Sequence, residues 1–232
     1  MGFVIDPPPV VSVPVVGTAD RFPVRRVWCV GRNYVEHAKE MGFTGREPPF
    51  FFAKPADALV VVPDGTTGDM PYPPGTDDLH HEIELVVAIG TGGSNIPVEK
   101  ALEHVWGYGV GLDMTRRDVQ GEAKKMGRPW EMGKSFDESA PMTALKAAAD
   151  IGHPAKGAIW LKINGEFRQQ GDLAMQIWNV QEQIAYLSNL VTLEPGDLIM
   201  TGTPAGVGPV HKGDHLEGHV DGVGDLSIKY AA

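Results

Sequence analysis

A single cysteine, Cys29, stands in the 232 residues, which excludes a disulfide framework and any cysteine-based zinc site. Long apolar runs are missing as well: no stretch approaches the roughly 18 to 20 residues of a membrane-spanning helix. Positive charge is in short supply, with 20 Lys and Arg against 30 Asp and Glu and a net charge of −10. Such a surface repels nucleic acid and anionic lipid, so neither is an expected partner. A small anionic substrate remains admissible where a local cation receives it. The opening residues Met1 to Asp6 carry no Lys or Arg, and Pro7, Pro8 and Pro9 follow, so no signal peptide is expected there. A lone thiol suits a reducing compartment, and the expected location is the cytoplasm.

Several well-known motifs are absent. Gly109-Val110-Gly111 leads into Leu112-Asp113-Met114, which breaks the dinucleotide pattern. There is no phosphate-binding loop of the Walker type. His81-Glu82 is not followed by a second His one helical turn later, so a zinc-protease helix is excluded. Gly133-Lys134-Ser135-Phe136-Asp137 lacks the final Gly of a nucleophile elbow. Cys29 lies in the apolar run Val27-Trp28-Cys29-Val30 and reads as a buried, inert thiol.

Gly (29) and Pro (19) are plentiful, and they are scattered between short apolar runs. That pattern predicts many tight turns between short strands. Strands are expected at Val27 to Val30, Phe50 to Ala53, Leu59 to Val62, Tyr108 to Leu112 and Leu198 to Thr201. One long buried strand is expected from His81 to Ile89. Asn164-Gly165 between Ile159 to Ile163 and Glu166 to Gln169 is a hairpin signal. Helical character is expected at Asn33 to Met41, Val98 to Val105 and part of Thr115 to Lys125. Val180 to Leu190 is the clearest amphipathic helix, with Val180, Ile184, Leu187 and Val191 on one face. Strands outnumber helices without regular alternation. The expected fold is a mixed β-rich α+β domain with a few peripheral helices. Residues 1–23 read as an N-terminal extended arm ahead of a single domain over residues 24–232.

Glu82 and Glu84 sit two apart in an apolar strand, so both point to one face. Two carboxylates at that spacing repel unless something neutralises them. One explanation is the solvated face of an edge strand. The other is a metal site, since a third carboxylate, Asp113, follows another apolar strand. An all-oxygen set suits Mg²⁺, Mn²⁺ or Ca²⁺ and leaves part of the coordination shell open for a chelating substrate. His37 and Glu40 share a helix face at i and i+3. They are either a surface pair or a general base whose imidazole a carboxylate orients. Lys134 between Gly133 and Ser135, and the turn Thr201-Gly202-Thr203-Pro204, are weak signals alone.

Six ordered segments carry a resemblance. They are Cys29 to Tyr34 with His37 and Glu40; Phe52 to Pro55; His81 to Leu85; Gly107 to Asp118; Gly133 to Asp137; and Glu194 to Asp197 through Thr201 to Gly208. From about residue 24 to its end the chain resembles the fumarylacetoacetate hydrolase family. The similarity is to its acylpyruvase-like branch and, within that, to bacterial fumarylpyruvate hydrolases. The resemblance implies a β-roll catalytic domain that forms a homodimer. It implies that Glu82, Glu84 and Asp113 bind Mg²⁺ or Mn²⁺, and that His37 and Glu40 activate water. It further implies that Lys134 is a cation beside the reacting oxygen and that Arg32, Gln120 and Thr203 contact substrate. The implied activity is metal-dependent hydrolysis of a C–C bond in a 2,4-dioxo acid, fumarylpyruvate giving fumarate and pyruvate in aromatic degradation. Oxaloacetate decarboxylation and dienoate isomerisation are the alternatives within the family. A binding protein without activity is the alternative outside it, and no ligand or dyad position is lost to support that.

Overall fold

The strand Ile83–Ile89 is buried along its whole length and organises the molecule from the middle of a sheet. In the computed structural model, which describes residues 2–36 and 46–232, that sheet has eight strands. Its path runs Phe50–Lys54, Arg26–Gly31, Asp197–Met200, Ile83–Ile89, Val105–Leu112, Ala140–Met142 and Leu59–Val61, with Lys146–Ala147 also paired to Val105–Leu112. A five-stranded sheet is ordered Glu166–Asp172, Ala158–Ile163, His215–Val220, Gly224–Tyr230 and Gly68–Met70. A three-stranded sheet joins Thr115–Arg116, Leu79–His81 and Gly208–Val210.

The period-two alternation of strand side chains divides the core. Ile83, Leu85, Val87 and Ile89 face the larger cluster, where Ile159, Leu161, Leu216, Val220, Leu226 and Ile228 of the five-stranded sheet meet them. Gly218 permits that approach: a Cβ there would lie 2.6 Å from Ile83 Cδ1. Val86 and Ala88 face a second cluster with Val27, Cys29, Leu198 and Met200. The segments Ser12–Pro14 and Arg21–Pro23 pair as a hairpin, and Val13 and Phe22 bury into this second cluster.

The helix Val180–Leu190 matches its expected bounds. Asn179 and Glu182 form a reciprocal capping box at its start. Val180, Ile184 and Leu187 bury into the larger cluster. Asn164 (φ 53°) and Gly165 (φ 83°) take the left-handed conformation of a two-residue hairpin turn, as expected for Asn-Gly. Val98–His104 is helical, but as tight 3₁₀ turns, and the chain passes directly from it into the strand Val105–Leu112. The expected long strand from His81 divides at Glu82: Leu79–His81 belongs to the three-stranded sheet and Ile83–Ile89 to the eight-stranded one. The architecture is the expected β-rich α+β roll with peripheral helices.

Candidate metal centre and active site

Two antiparallel strands change sheets at the same level. Ile83 faces Leu112 in the large sheet, and His80 faces Thr115 in the small one. Between these pairs the Asp113 N–H donates to the Glu82 carbonyl at 2.9 Å, so register holds across the junction. Glu82 and Asp113 therefore lie opposite each other at the seam. Glu84 is two residues on, opposite Gly111, which carries no side chain. The three carboxylates are buried, and one oxygen from each lies within 4.8 Å of the others. A solvated edge is thereby ruled out, because the strand is central and the carboxylates are enclosed.

Like charges this close must be compensated. Lys134 Nζ donates to Glu82 Oε2 at 2.7 Å and to Asp113 Oδ2 at 2.6 Å. Burial pulls the Lys134 ammonium down, but Asp113 and Glu82 outweigh it and hold its pKa above the ordinary lysine value. Lys54 Nζ lies 2.9 Å from Asp113 Oδ1 and also donates to the carbonyls of Met114 and Lys134. Arg117 reaches Glu82 Oε1 at 2.5 Å. Glu84 differs from the other two. It accepts the Gly202 N–H at 2.7 Å, and among the described residues no cation lies within ion-pair distance of it. Burial first, then Asp113 and Glu82, push its pKa well above the usual carboxylate value. The site thus has room for further positive charge beside Glu84. Its all-oxygen donor set fits a hard divalent cation.

Backbone close approaches set these positions. Gly202 has φ +93°, and a Cβ there would lie 2.6 Å from Asn33 Cβ. Asn33 is buried and donates to the Thr201 and Trp178 carbonyls, which ties the Thr201–Pro204 turn to the strand end at Gly31. Gly133 lets the short helix Glu131–Lys134 touch the helix Arg117–Lys125: a Cβ at Gly133 would sit 2.9 Å from Gln120 N. That contact delivers Lys134 to the carboxylates.

A narrow cleft opens over Glu82 and Glu84. Arg32, Gln120 and Thr203, the expected substrate contacts, all line it with Glu82, Glu84 and Lys134. Gln120 accepts from Arg117 at 2.8 Å, and Thr203 Oγ1 accepts from Gln169 Nε2 at 2.7 Å. Arg32 takes a positive φ of 58° and places its guanidinium 4.7 Å from the centre of the Phe50 ring. His37 and Glu40 lie outside the described residues. Cys29 is buried, and burial pushes its thiol pKa up, as an inert core thiol requires.

Three site cations escaped the sequence: Lys54, Arg117 and Lys124. A signal existed for two of them. Arg117, Gln120 and Lys124 fall at i, i+3 and i+7 of one helix, hence on one face. Lys54 gave none beyond its place in the Phe52 to Pro55 segment, since its partner Asp113 is distant in sequence.

A β-roll holding three buried carboxylates at the seam of two sheets defines a class: enzymes built around an oxygen-ligand site for a hard cation. This chain belongs to the fumarylacetoacetate hydrolase family. Residues 26–229 match the family described as Fumarylacetoacetate (FAA) hydrolase C-terminal. The fold is similar to that of fumarylpyruvate hydrolase from Pseudomonas aeruginosa, whose crystal structure holds Mn²⁺ and pyruvate. That likeness has a TM-score of 0.97 and 54% identity and covers 99% of each chain. Among curated proteins, mouse mitochondrial oxaloacetate tautomerase FAHD1 is 44% identical over 89% of this chain and 95% of its own length. Oxaloacetate tautomerase YcgM of Escherichia coli is 44% identical over 87% of this chain and 90% of its own. Among the described residues, no helix is long and apolar enough to cross a membrane.

Proposed function

We propose that this protein hydrolyses the C–C bond of a 2,4-dioxo acid, with fumarylpyruvate as the substrate and fumarate and pyruvate as the products. The observation that carries the proposal is the buried triad of Glu82, Glu84 and Asp113 with Lys134 reaching two of its members. The likeness to the Pseudomonas fumarylpyruvate hydrolase supports the choice of substrate. Mg²⁺ or Mn²⁺ held by the three carboxylates would supply Lewis acidity toward the oxygens of the pyruvyl end.

The remaining steps fall to side chains of this chain. His37, oriented by Glu40, removes a proton from water as the water oxygen bonds to the distal carbonyl carbon. Lys134 donates a hydrogen bond to the oxygen that becomes negative. The C–C bond then breaks, its electron pair passes to the pyruvyl carbon, and that carbon regains a proton to give pyruvate. The hydroxyl stays on the acyl carbon as fumarate. Arg32, Gln120 and Thr203 orient the substrate between these groups. The same proposal includes a cytoplasmic homodimer. The lone buried thiol supports the compartment, and the family resemblance supports the assembly.

The two tautomerase relatives favour a second reading, proton exchange between carbon and oxygen of oxaloacetate. No water attacks in that reaction. Purified protein with Mg²⁺ should cleave fumarylpyruvate much faster than it converts oxaloacetate, and EDTA should abolish the cleavage. Faster tautomerisation or carbon dioxide release from oxaloacetate would overturn the hydrolase proposal. His37→Ala should remove hydrolysis while leaving metal binding intact.

A further inference from the structure

Lys124 is a half-buried lysine that lines the cleft without an acidic partner among the described residues. It lies seven residues beyond Arg117 on one helix, about 10 Å farther along the axis. Arg117 contacts Glu82, so the helix runs from the carboxylates toward a second region of the cleft. There the Lys124 ammonium stands 4.8 Å from the centre of the Trp130 ring. Trp130 meets Phe50 edge to face at 5.3 Å, and Arg32 covers Phe50. The result is a continuous aromatic wall with a cation at each end. Trp130 and Phe50 give an apolar strip on which a carbon chain can lie, and cation–π contact holds the two cations in place.

The charge on Lys124 is out of balance. Burial, then Arg117 and Lys134, lower its pKa to about 8. It remains largely cationic at neutral pH, yet it is partly desolvated and crowded by like charge. Charged groups in this position are normally paired. A purely structural role exists, since a basic residue in the last turn of a helix favours the dipole. That role does not account for the side chain turning onto Trp130 and into the cleft.

We infer that Lys124 binds a second carboxylate at the far end of the substrate, making the cleft selective for extended dianionic 2-oxo acids over monoanionic ones. The inference rests on the hydrolase proposal and specifies its substrate class. Lys124 donates hydrogen bonds to the distal carboxylate and takes no part in bond breaking. It therefore contributes to binding and not to the chemical step.

The test compares two substrates that differ at that end. Fumarylpyruvate carries the second carboxylate, and acetylpyruvate carries a methyl group. Lys124→Met should raise KM for fumarylpyruvate about 10- to 100-fold, the loss of one charge-assisted hydrogen-bonded pair, with kcat nearly unchanged. For acetylpyruvate both constants should stay within about two-fold. Lys124→Arg should recover most of the affinity. An equal loss on both substrates would mean a structural role, and no loss on either would mean no role; each overturns the inference. Wild-type protein that cleaves neither substrate would instead overturn the hydrolase proposal. Calorimetric titration then decides Lys124 alone, using fumarate against crotonate, which has a methyl group in place of one carboxylate. Fumarate binding that is weakened in Lys124→Met supports the inference; unchanged fumarate binding overturns it.

Discussion

Lys54 Nζ lies 2.9 Å from Asp113 Oδ1, with both side chains buried. The pair fixes one ligand of the proposed metal centre from a strand at the far side of the sheet. Lys54→Met would leave Asp113 with Lys134 as its remaining cation and remove the donor to the buried Met114 carbonyl, while the Lys134 carbonyl keeps Ser139 Oγ. Removing one member of a buried ion pair costs about 3–5 kcal/mol. Urea denaturation should show that loss, and a midpoint equal to wild type would deny Lys54 its anchoring role.

Glu84→Gln separates metal binding from folding. The substitution keeps the volume and retains an acceptor for the Gly202 N–H, but removes an ionisable carboxyl that has no cation within ion-pair distance among the described residues. Without metal, the melting temperature should hold or rise. With Mn²⁺, wild type should gain stability by linkage, and the variant should gain little. Calorimetry should give a Mn²⁺ affinity at least about 10-fold lower. An unchanged affinity would remove Glu84 from the ligand set.

Gly202→Ala tests the turn behind the triad. The position has φ +93°, and the added methyl would meet Asn33 Cβ at 2.6 Å. Backbone strain and displacement should cost about 1–3 kcal/mol. Moving the Gly202 N–H away from Glu84 should also weaken Mn²⁺ binding. Stability equal to wild type in thermal unfolding would contradict the close approach.

His219 provides a pH dependence far from the cleft. Its ring nitrogens lie 2.6 Å from Asp225 Oδ1 and 2.8 Å from Asp221 Oδ1. Partial burial opposes protonation, but the two carboxylates prevail and raise its pKa above 6.5. The folded state holds this proton more tightly than the unfolded state. The stabilisation is therefore complete below pH 6.5 and is lost as pH rises through the raised value. Proton NMR should find His219 titrating above 6.5, and Asp225→Asn should bring it down. A titration unaffected by that change would refute the coupling.

The triad was legible because Glu82 and Glu84 interrupt an apolar run, and strand geometry then requires a shared face. The division of that run at Glu82 was not legible, since hydropathy is blind to which sheet a strand joins. Lys54 reads locally as the end of Phe50–Lys54, and its burial depends on a partner that only the fold brings near. The hairpin of His215–Val220 and Gly224–Tyr230 is absent from the strands expected of the sequence. Its inward residues include Gly218, whose lack of a side chain weakens the apolar alternation and admits Ile83. The Asn-Gly turn and the helix Val180–Leu190 were readable because their signals are local: left-handed backbone at the turn, and a capped apolar stripe on the helix.

The seam where Asp113 hydrogen-bonds to Glu82 places the carboxylates on two strands whose register cannot slip by one residue without reversing every side chain. Lys124, Trp130 and Arg32 sit instead on a helix end, a connecting segment and a strand terminus. Insertions and substitutions are tolerated far better in such places than within a paired strand. The scaffold thereby separates a half of the cleft locked by strand register from a half carried on segments outside the paired strands. New substrate preferences can arise on the rim by single-residue change while the carboxylate seam is inherited intact.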